Sequence, residues 1–218
     1  MKYLFLIFFF LVSIIHLVHS WQDDSKKRAM TKPFLLLFLA AFYAFAAESV
    51  SLILLSALLT SWLGDVLLIR KGHKWFIFGG ISFLASHVLF VYVFTPAIRW
   101  TAVPWVLIAL LAVVYYGFSL KIMLAVQKTT PKMMVVPMYL YLLANSTMNL
   151  FALMRLFTLR TPGSIVSFIG AVLFFISDCT LFLVRYYPKT DAVFKRHFPV
   201  MLTYLGGEFL ITLGMLIQ

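Results

Sequence analysis

The chain reads as an all-α, polytopic membrane helix bundle with eight transmembrane helices in a single domain, 1–218. Three observations predict that class. Hydrophobic residues make up 63% and charged residues 11%, against roughly half and a quarter in ordinary globular domains. A soluble domain of this size could not hide so much apolar surface or clothe its exterior with so few charges. The apolar residues fall in runs of roughly 20, the length at which a helix crosses hydrocarbon with its own backbone groups bonded. The basic residues, finally, sort by loop.

Taken in order, the first run covers 3–20 and is followed by a polar stretch from Trp21 to Lys32. A short second run, 33–47, stops at the break Glu48-Ser49. The third, 50–69, ends at Arg70-Lys71-Gly72-His73-Lys74, and the fourth, 75–94, at Thr95-Pro96. The fifth spans 101–126, ahead of Gln127-Lys128-Thr129-Thr130-Pro131-Lys132. The sixth spans 133–157, the seventh 163–184 and the eighth 198–217. Odd loops hold fourteen of the 18 Lys and Arg: Lys26, Lys27, Arg28 and Lys32; Arg70, Lys71 and Lys74; Lys121, Lys128 and Lys132; Arg185, Lys189, Lys195 and Arg196. Lys2, Arg99, Arg155 and Arg160 fall on the other side. The positive-inside rule then makes the odd loops cytoplasmic and places both termini outside. Val18-His19-Ser20 before Trp21 resembles a signal-peptide cleavage site. Cleavage there would put the fourteen basic residues on the wrong face, so the first helix is read as an uncleaved span.

The same sorting disposes of a nucleic-acid partner. A net charge of +11 would suggest one in a soluble protein, but here the excess records topology. The single cysteine, Cys179, excludes an internal disulfide and a multi-cysteine metal site.

An ionisable side chain inside hydrocarbon costs roughly 2.5–3.5 kcal/mol on insertion scales and therefore needs a partner or a job. Four qualify: Asp65 in the third helix, His87 in the fourth, Asp178 in the seventh and Glu208 in the eighth. Tyr141, Tyr204, Asn145 and Asn149 accompany them. Counted from the cytoplasmic helix ends at 1.5 Å per residue, Asp65 lies about 7 Å in, Tyr204 about 9 Å and Asp178 about 10 Å. Tyr141 lies about 14 Å in, Glu208 about 15 Å and His87 about 20 Å. The two aspartates are thus level, with a polar column above them and Lys32 at the cytoplasmic mouth. His16 and His19, near the outer end of the first helix, are read as interfacial. Structural readings compete at each position: an interfacial cap for Asp65, polar glue for Asp178, a satisfied buried histidine for His87. An interhelical bond would serve for Glu208, and a snorkelling anchor for Lys32. A faint echo relates Gly64-Asp65 to Ser177-Asp178, each aspartate on the third helix of a four-helix half, which would make a parallel 4+4 pseudo-repeat.

Several segments resemble the YhhN family of lysoplasmalogenase-like membrane proteins. They are Lys32-Pro33, Ser61-Trp62-Leu63-Gly64-Asp65, Gly79-Gly80-Ile81-Ser82-Phe83-Leu84-Ala85-Ser86-His87, Pro137-Met138-Tyr139-Leu140-Tyr141 and Gly170-Ala171-Val172-Leu173-Phe174-Phe175-Ile176-Ser177-Asp178. Tyr204 also fits the pattern, whereas Glu208 stands where the family tends to carry glutamine. The resemblance implies an enzyme that hydrolyses the vinyl ether bond of lysoplasmalogens, taken from the bilayer, to a fatty aldehyde and a glycerophospho-base. No cofactor and no metal is expected.

Vinyl ethers are cleaved by protonation at the β-carbon, followed by water attack on the oxocarbenium ion. That demands one acid and one carboxylate, as in a glycosidase. Asp65 and Asp178 are the natural pair, in either order. His87, Tyr141 and Tyr204 would orient water or the glycerol hydroxyl, and Lys32 would bind phosphate. The main rival is a proton-coupled carrier for a small lipid or solute using the same carboxylates. An aspartyl intramembrane protease is disfavoured by Trp62 and Ser177, which replace residues of its G-x-G-D and Y-D motifs. One intramembrane histidine without H-x-x-x-H spacing argues against a metal hydrolase.

Overall fold

A computed structural model describes residues 1–188 and 193–218. All eight expected helices form among them: α1 Lys2–Trp21, α2 Ser25–Ala46, α3 Leu52–Ile69, α4 His73–Phe94, α5 Trp105–Val126, α6 Lys132–Leu159, α7 Pro162–Tyr186 and α8 His197–Leu216. Each is long and apolar enough to cross a membrane. The chain is an integral, multi-pass membrane protein. Large apolar side chains face outward, including Val106 and Val113, 78% and 72% exposed, as suits a bundle whose surroundings are hydrocarbon.

The largest departure from expectation lies at α2. Its helix begins at Ser25, well before Pro33, because the Asp24 carboxylate accepts from the backbone N–H of Lys26 and Lys27, both at 3.1 Å. That cap satisfies donors a helix start leaves open. Lys26, Lys27, Arg28 and Lys32 therefore ride on α2 itself, not in a loop. Pro33 lies inside the helix, and its carbonyl accepts from the Trp62 indole at 2.7 Å. α5 starts late, at Trp105, after 3₁₀ turns at Thr95–Ala97 and Trp100–Ala102. α6 runs on to Leu159 and is stopped by Arg160 in the left-handed region at φ 56°. Of the basic residues assigned to odd loops, Lys189 lies outside the described residues.

Sequence neighbours pack as antiparallel hairpins, α1 on α2, α3 on α4, and most extensively α7 on α8. The last pair meets along a seam of glycines. A Cβ on Gly170 would come within 2.6 Å of the Ile211 nitrogen and 2.7 Å of the Gly207 carbonyl oxygen. One on Gly214 would come within 2.5 Å of the Gly163 oxygen and of the Ser167 nitrogen. Small residues allow such backbone approach where lipid supplies no hydrophobic drive between helices. The Ser177 hydroxyl ties the same pair together by donating to the Val200 carbonyl at 2.9 Å. The seam thus fixes α8, with Tyr204 and Glu208, against Asp178 on α7.

Candidate functional site

The start of α2, the end of α3, the end of α7 and the start of α8 lie at the basic end of the bundle, and Asp65 and Asp178 lie one to two turns inside it. Asp65 stands one turn from the end of α3 and is 2% exposed. Its Oδ1 is 3.0 Å from the Lys32 ammonium of α2, and its Oδ2 accepts from the Tyr204 hydroxyl of α8 at 2.9 Å. A buried carboxylate is tolerable in this setting because both oxygens are matched. Gly64 makes room beside it: a Cβ there would lie 2.6 Å from the Phe83 ring of α4. Phe83 in turn packs edge-on against Tyr204 and Phe174. Behind Asp65, the Ser61 and Ser86 hydroxyls meet at 2.6 Å, and Ser86 donates to the Ala57 carbonyl at 3.1 Å.

Asp178 has a separate set of partners. Its Oδ2 accepts from the Asn145 side-chain amide at 2.7 Å. Asn145 is itself held by Asn149, whose amide donates to the Asn145 side-chain and main-chain oxygens at 3.1 Å each. This orients the Asn145 amide, whose oxygen receives from Asn149 while its NH₂ faces the carboxylate. The same Oδ2 lies 3.2 Å from His87 Nε2, at ion-pair range though off the angle of a good hydrogen bond.

The His87 ring has a second polar contact. His87 Nδ1 is 2.6 Å from the Phe83 carbonyl oxygen, which can only accept, so Nδ1 carries hydrogen. Nε2 is then the ring position that approaches Asp178, at 3.2 Å and off the hydrogen-bonding angle. The imidazole is boxed in by Tyr141, with ring centroids 5.0 Å apart, and by Phe174 at 4.8 Å.

Glu208 is fully buried, and neither of its carboxyl oxygens has a hydrogen-bond partner among the described residues. Ser61 lies beside it, out of hydrogen-bonding geometry, and both aspartates lie within electrostatic reach. It is a third carboxyl group in the same buried layer, with its acceptors uncommitted.

The sequence-derived residues thus converge, but not as depth counting arranges them. Asp65 meets Tyr204 as their similar depths suggest. His87 is expected about 10 Å above Asp178 and instead touches it, because counting from helix ends assumes that all ends stand at one level. Lys32, expected to hold an anionic head group at the mouth, lies 3.0 Å from Asp65. His16 and His19 are not at the outer end: they lie in the last two turns of α1, at the basic end, and His16 is 1% exposed. Arg155, counted with the far-side charges, is fully buried, with Nη1 donating to Ser167 at 2.8 Å. Its place between Met154 and Leu156 in an apolar run is the signal that marks it.

Beside this layer, a cavity of about 210 Å³ opens between α4 and α6, lined by Phe76, Leu84, Met134, Met138, Tyr141 and Phe182 among others. A second cavity continues along the same two helices, sharing Leu84 and Leu140 with the first. Ile81 and Leu140 on its rim are about half exposed, so the groove faces the bilayer. Tyr141 forms its inner wall and stands beside Asp178.

A sequence model of the YhhN family matches residues 27–215, almost the whole chain. No curated protein and no solved structure matches it.

Proposed function

We propose, from the premise that the chain belongs to the YhhN family, that it hydrolyses the vinyl ether bond of lysoplasmalogens. The family sets the coarse class, a lysoplasmalogenase-like membrane protein. The observation that carries the finer reading is the approach of His87 Nε2 to Asp178 at 3.2 Å, in the same buried layer as Asp65.

In this reading the Asp178–His87 pair delivers a proton to the β-carbon of the alkenyl chain. The C=C electrons take it up, and the ether oxygen stabilises the cation left at the α-carbon. Asp65, its charge balanced by Lys32, faces that cation and accepts a proton from the attacking water. The resulting hemiacetal collapses with transfer of a proton to the glycerol oxygen, giving the fatty aldehyde and the glycerophospho-base. Asn145 and Asn149 keep Asp178 in place. Tyr204 holds the second oxygen of Asp65, and Glu208 offers acceptors for the water or the glycerol hydroxyl. The hydrocarbon chain lies in the α4–α6 groove, which is apolar and reaches Tyr141.

Detergent-purified protein incubated with a lysoplasmalogen and with its saturated alkyl-ether counterpart tests the reading. Aldehyde released from the vinyl ether alone supports it, since only the double bond can take up the proton. Absence of aldehyde together with substrate-dependent proton flux in vesicles would favour a carrier instead.

A further inference from the structure

Arg185 lies in the last turn of α7, takes no part in the acid layer, and is fixed beside the α4–α6 groove by direct contacts. Its guanidinium carbon stands 3.9 Å from the centroid of the Phe76 ring. Its Nε–H donates to the Tyr186 hydroxyl at 3.1 Å, and that hydroxyl donates in turn to the Met134 sulfur at 3.5 Å. The Tyr186 ring packs edge-on against Phe76. Phe76 and Met134 are both walls of the groove. An exposed arginine is thereby held at the groove's basic end, with its cation over one wall. Nε serves Tyr186, and the two Nη groups carry four further N–H donors in a plane that matches phosphate oxygens two at a time.

The groove supplies the apolar half of the same site. Helices α4 and α6 both start at the basic end, so they run in one direction and the slot between them leads away from that end. From Phe76 to Thr95 on α4 it extends over about 28 Å at 1.5 Å per residue, close to the thickness of the hydrocarbon core. Gly80 keeps it open. Glycine weakens a helix relative to alanine, so a helical glycine calls for a reason. Its neighbour Gly79 has one in packing, since a Cβ there would lie 2.8 Å from the Leu68 side chain. A Cβ on Gly80 would meet nothing within 4 Å, and Gly80 lines the cavity about one turn deeper than Phe76. A cation at one end and an apolar slot beyond it complement one ligand chemistry, a phosphate joined to a single hydrocarbon chain. Tyr141 lies about 10 Å beyond Met134 along α6, so a lipid held at Arg185 by its phosphate brings the start of its chain toward Tyr141.

We propose that Arg185 binds the phosphate of a single-chain phospholipid whose hydrocarbon lies in the α4–α6 groove past Gly80. The choice of lipid rests on the hydrolase reading above. Arg185 takes the place of Lys32, held against Asp65 at 3.0 Å, as the phosphate contact.

The test uses full-length protein in a nonionic detergent, with a saturated alkyl-ether lysophospholipid and the alkylglycerol of the same chain as paired probes. Neither probe has a vinyl ether, so binding is read apart from hydrolysis: intact binding without aldehyde release from a lysoplasmalogen sinks the hydrolase and leaves the site. Wild-type protein is expected to bind the phosphate-bearing lipid at least tenfold more tightly than the alkylglycerol. In Arg185→Gln that ratio should fall to about threefold or less, with the alkylglycerol bound as before. Gly80→Leu should weaken both lipids at least tenfold and leave their ratio unchanged. Its thermal transition should stay at or above that of wild type, because leucine forms helix better than glycine and meets open space there. Equal binding of the two lipids by wild-type protein would overturn the proposal, and this comparison needs no variant to fold. A ratio preserved in Arg185→Gln would return the phosphate to another cation, and undiminished binding in Gly80→Leu would remove the chain from the groove; either result overturns the site.

Discussion

Replacing Lys32 by Met probes the buried ion pair on which the candidate site is built. Met keeps most of the side-chain length and removes the charge. At 3.0 Å from Asp65, the attraction lost is about 5.5 kcal/mol at an effective dielectric constant near 20. Part of this is offset because Lys32 no longer has to be desolvated, and the Tyr204 hydroxyl still holds one carboxylate oxygen. Breaking one side of such a pair typically costs about 3–5 kcal/mol, since the remaining charge is left buried. Asp65→Asn should cost less, about 1–3 kcal/mol, because the Lys32 side chain is 16% exposed and can turn its ammonium toward the basic end. The double variant should recover about 2–3 kcal/mol relative to the sum of the two, a coupling of the size neighbouring charged groups show. Reversible unfolding in mixed micelles, measured for all four proteins, gives this cycle directly. Additivity within about 0.5 kcal/mol would refute the pairing and with it the account of why Asp65 is tolerated in the membrane.

Other consequences can be checked alongside. Asp178→Asn and His87→Gln should each lower aldehyde release by about 10²–10⁴-fold while leaving the protein membrane-inserted, and Asp65→Asn should behave likewise; full activity in any of them would remove that residue from the mechanism. Leucine at Gly170 or Gly214 must push apart backbones whose atoms would lie 2.5–2.7 Å from a new Cβ. Such overpacking should destabilise the protein by at least about 1–3 kcal/mol, read as a lower thermal transition, and at Gly170 also as reduced activity. Asp24 caps α2, and the backbone N–H of Lys27 holds its carboxyl below the ordinary value of 3.8. Because the folded value is depressed, the stabilisation is complete above the unfolded value and is lost as pH falls through the folded one. Asp24→Ala should therefore flatten the acid limb of the stability profile below about pH 4 and lower stability above it; a profile that stays parallel to wild type would count against the cap.

The span count and the identity of the buried acids were legible along the chain because they are one-dimensional properties. A run of apolar residues crosses hydrocarbon wherever its neighbours sit. An aspartate inside such a run is conspicuous without knowledge of its partners. Asp65 and Tyr204 could even be matched by depth, since each lies about two turns or less from its helix end. The method failed for His87, where tilt and unequal helix ends bring two groups together across an apparent gap of about 10 Å. It failed also for Lys32, because the polar stretch before Pro33 looks like a loop until Asp24 is seen to cap a helix there.

The sequence by itself thus determined a membrane bundle of eight helices, its concentration of positive charge at one end, and the short list of ionisable residues within it. Only the tertiary structure decided who meets whom: Lys32 and Tyr204 with Asp65, His87 and Asn145 with Asp178, and Glu208 with no hydrogen-bond partner among the described residues. The reason is physical. Insertion into lipid is governed by the sum of residue hydrophobicities along a segment. Pairing depends on the rotation and tilt of each helix about its neighbours, set here by contacts such as the glycine seam of α7 and α8, which no single segment encodes.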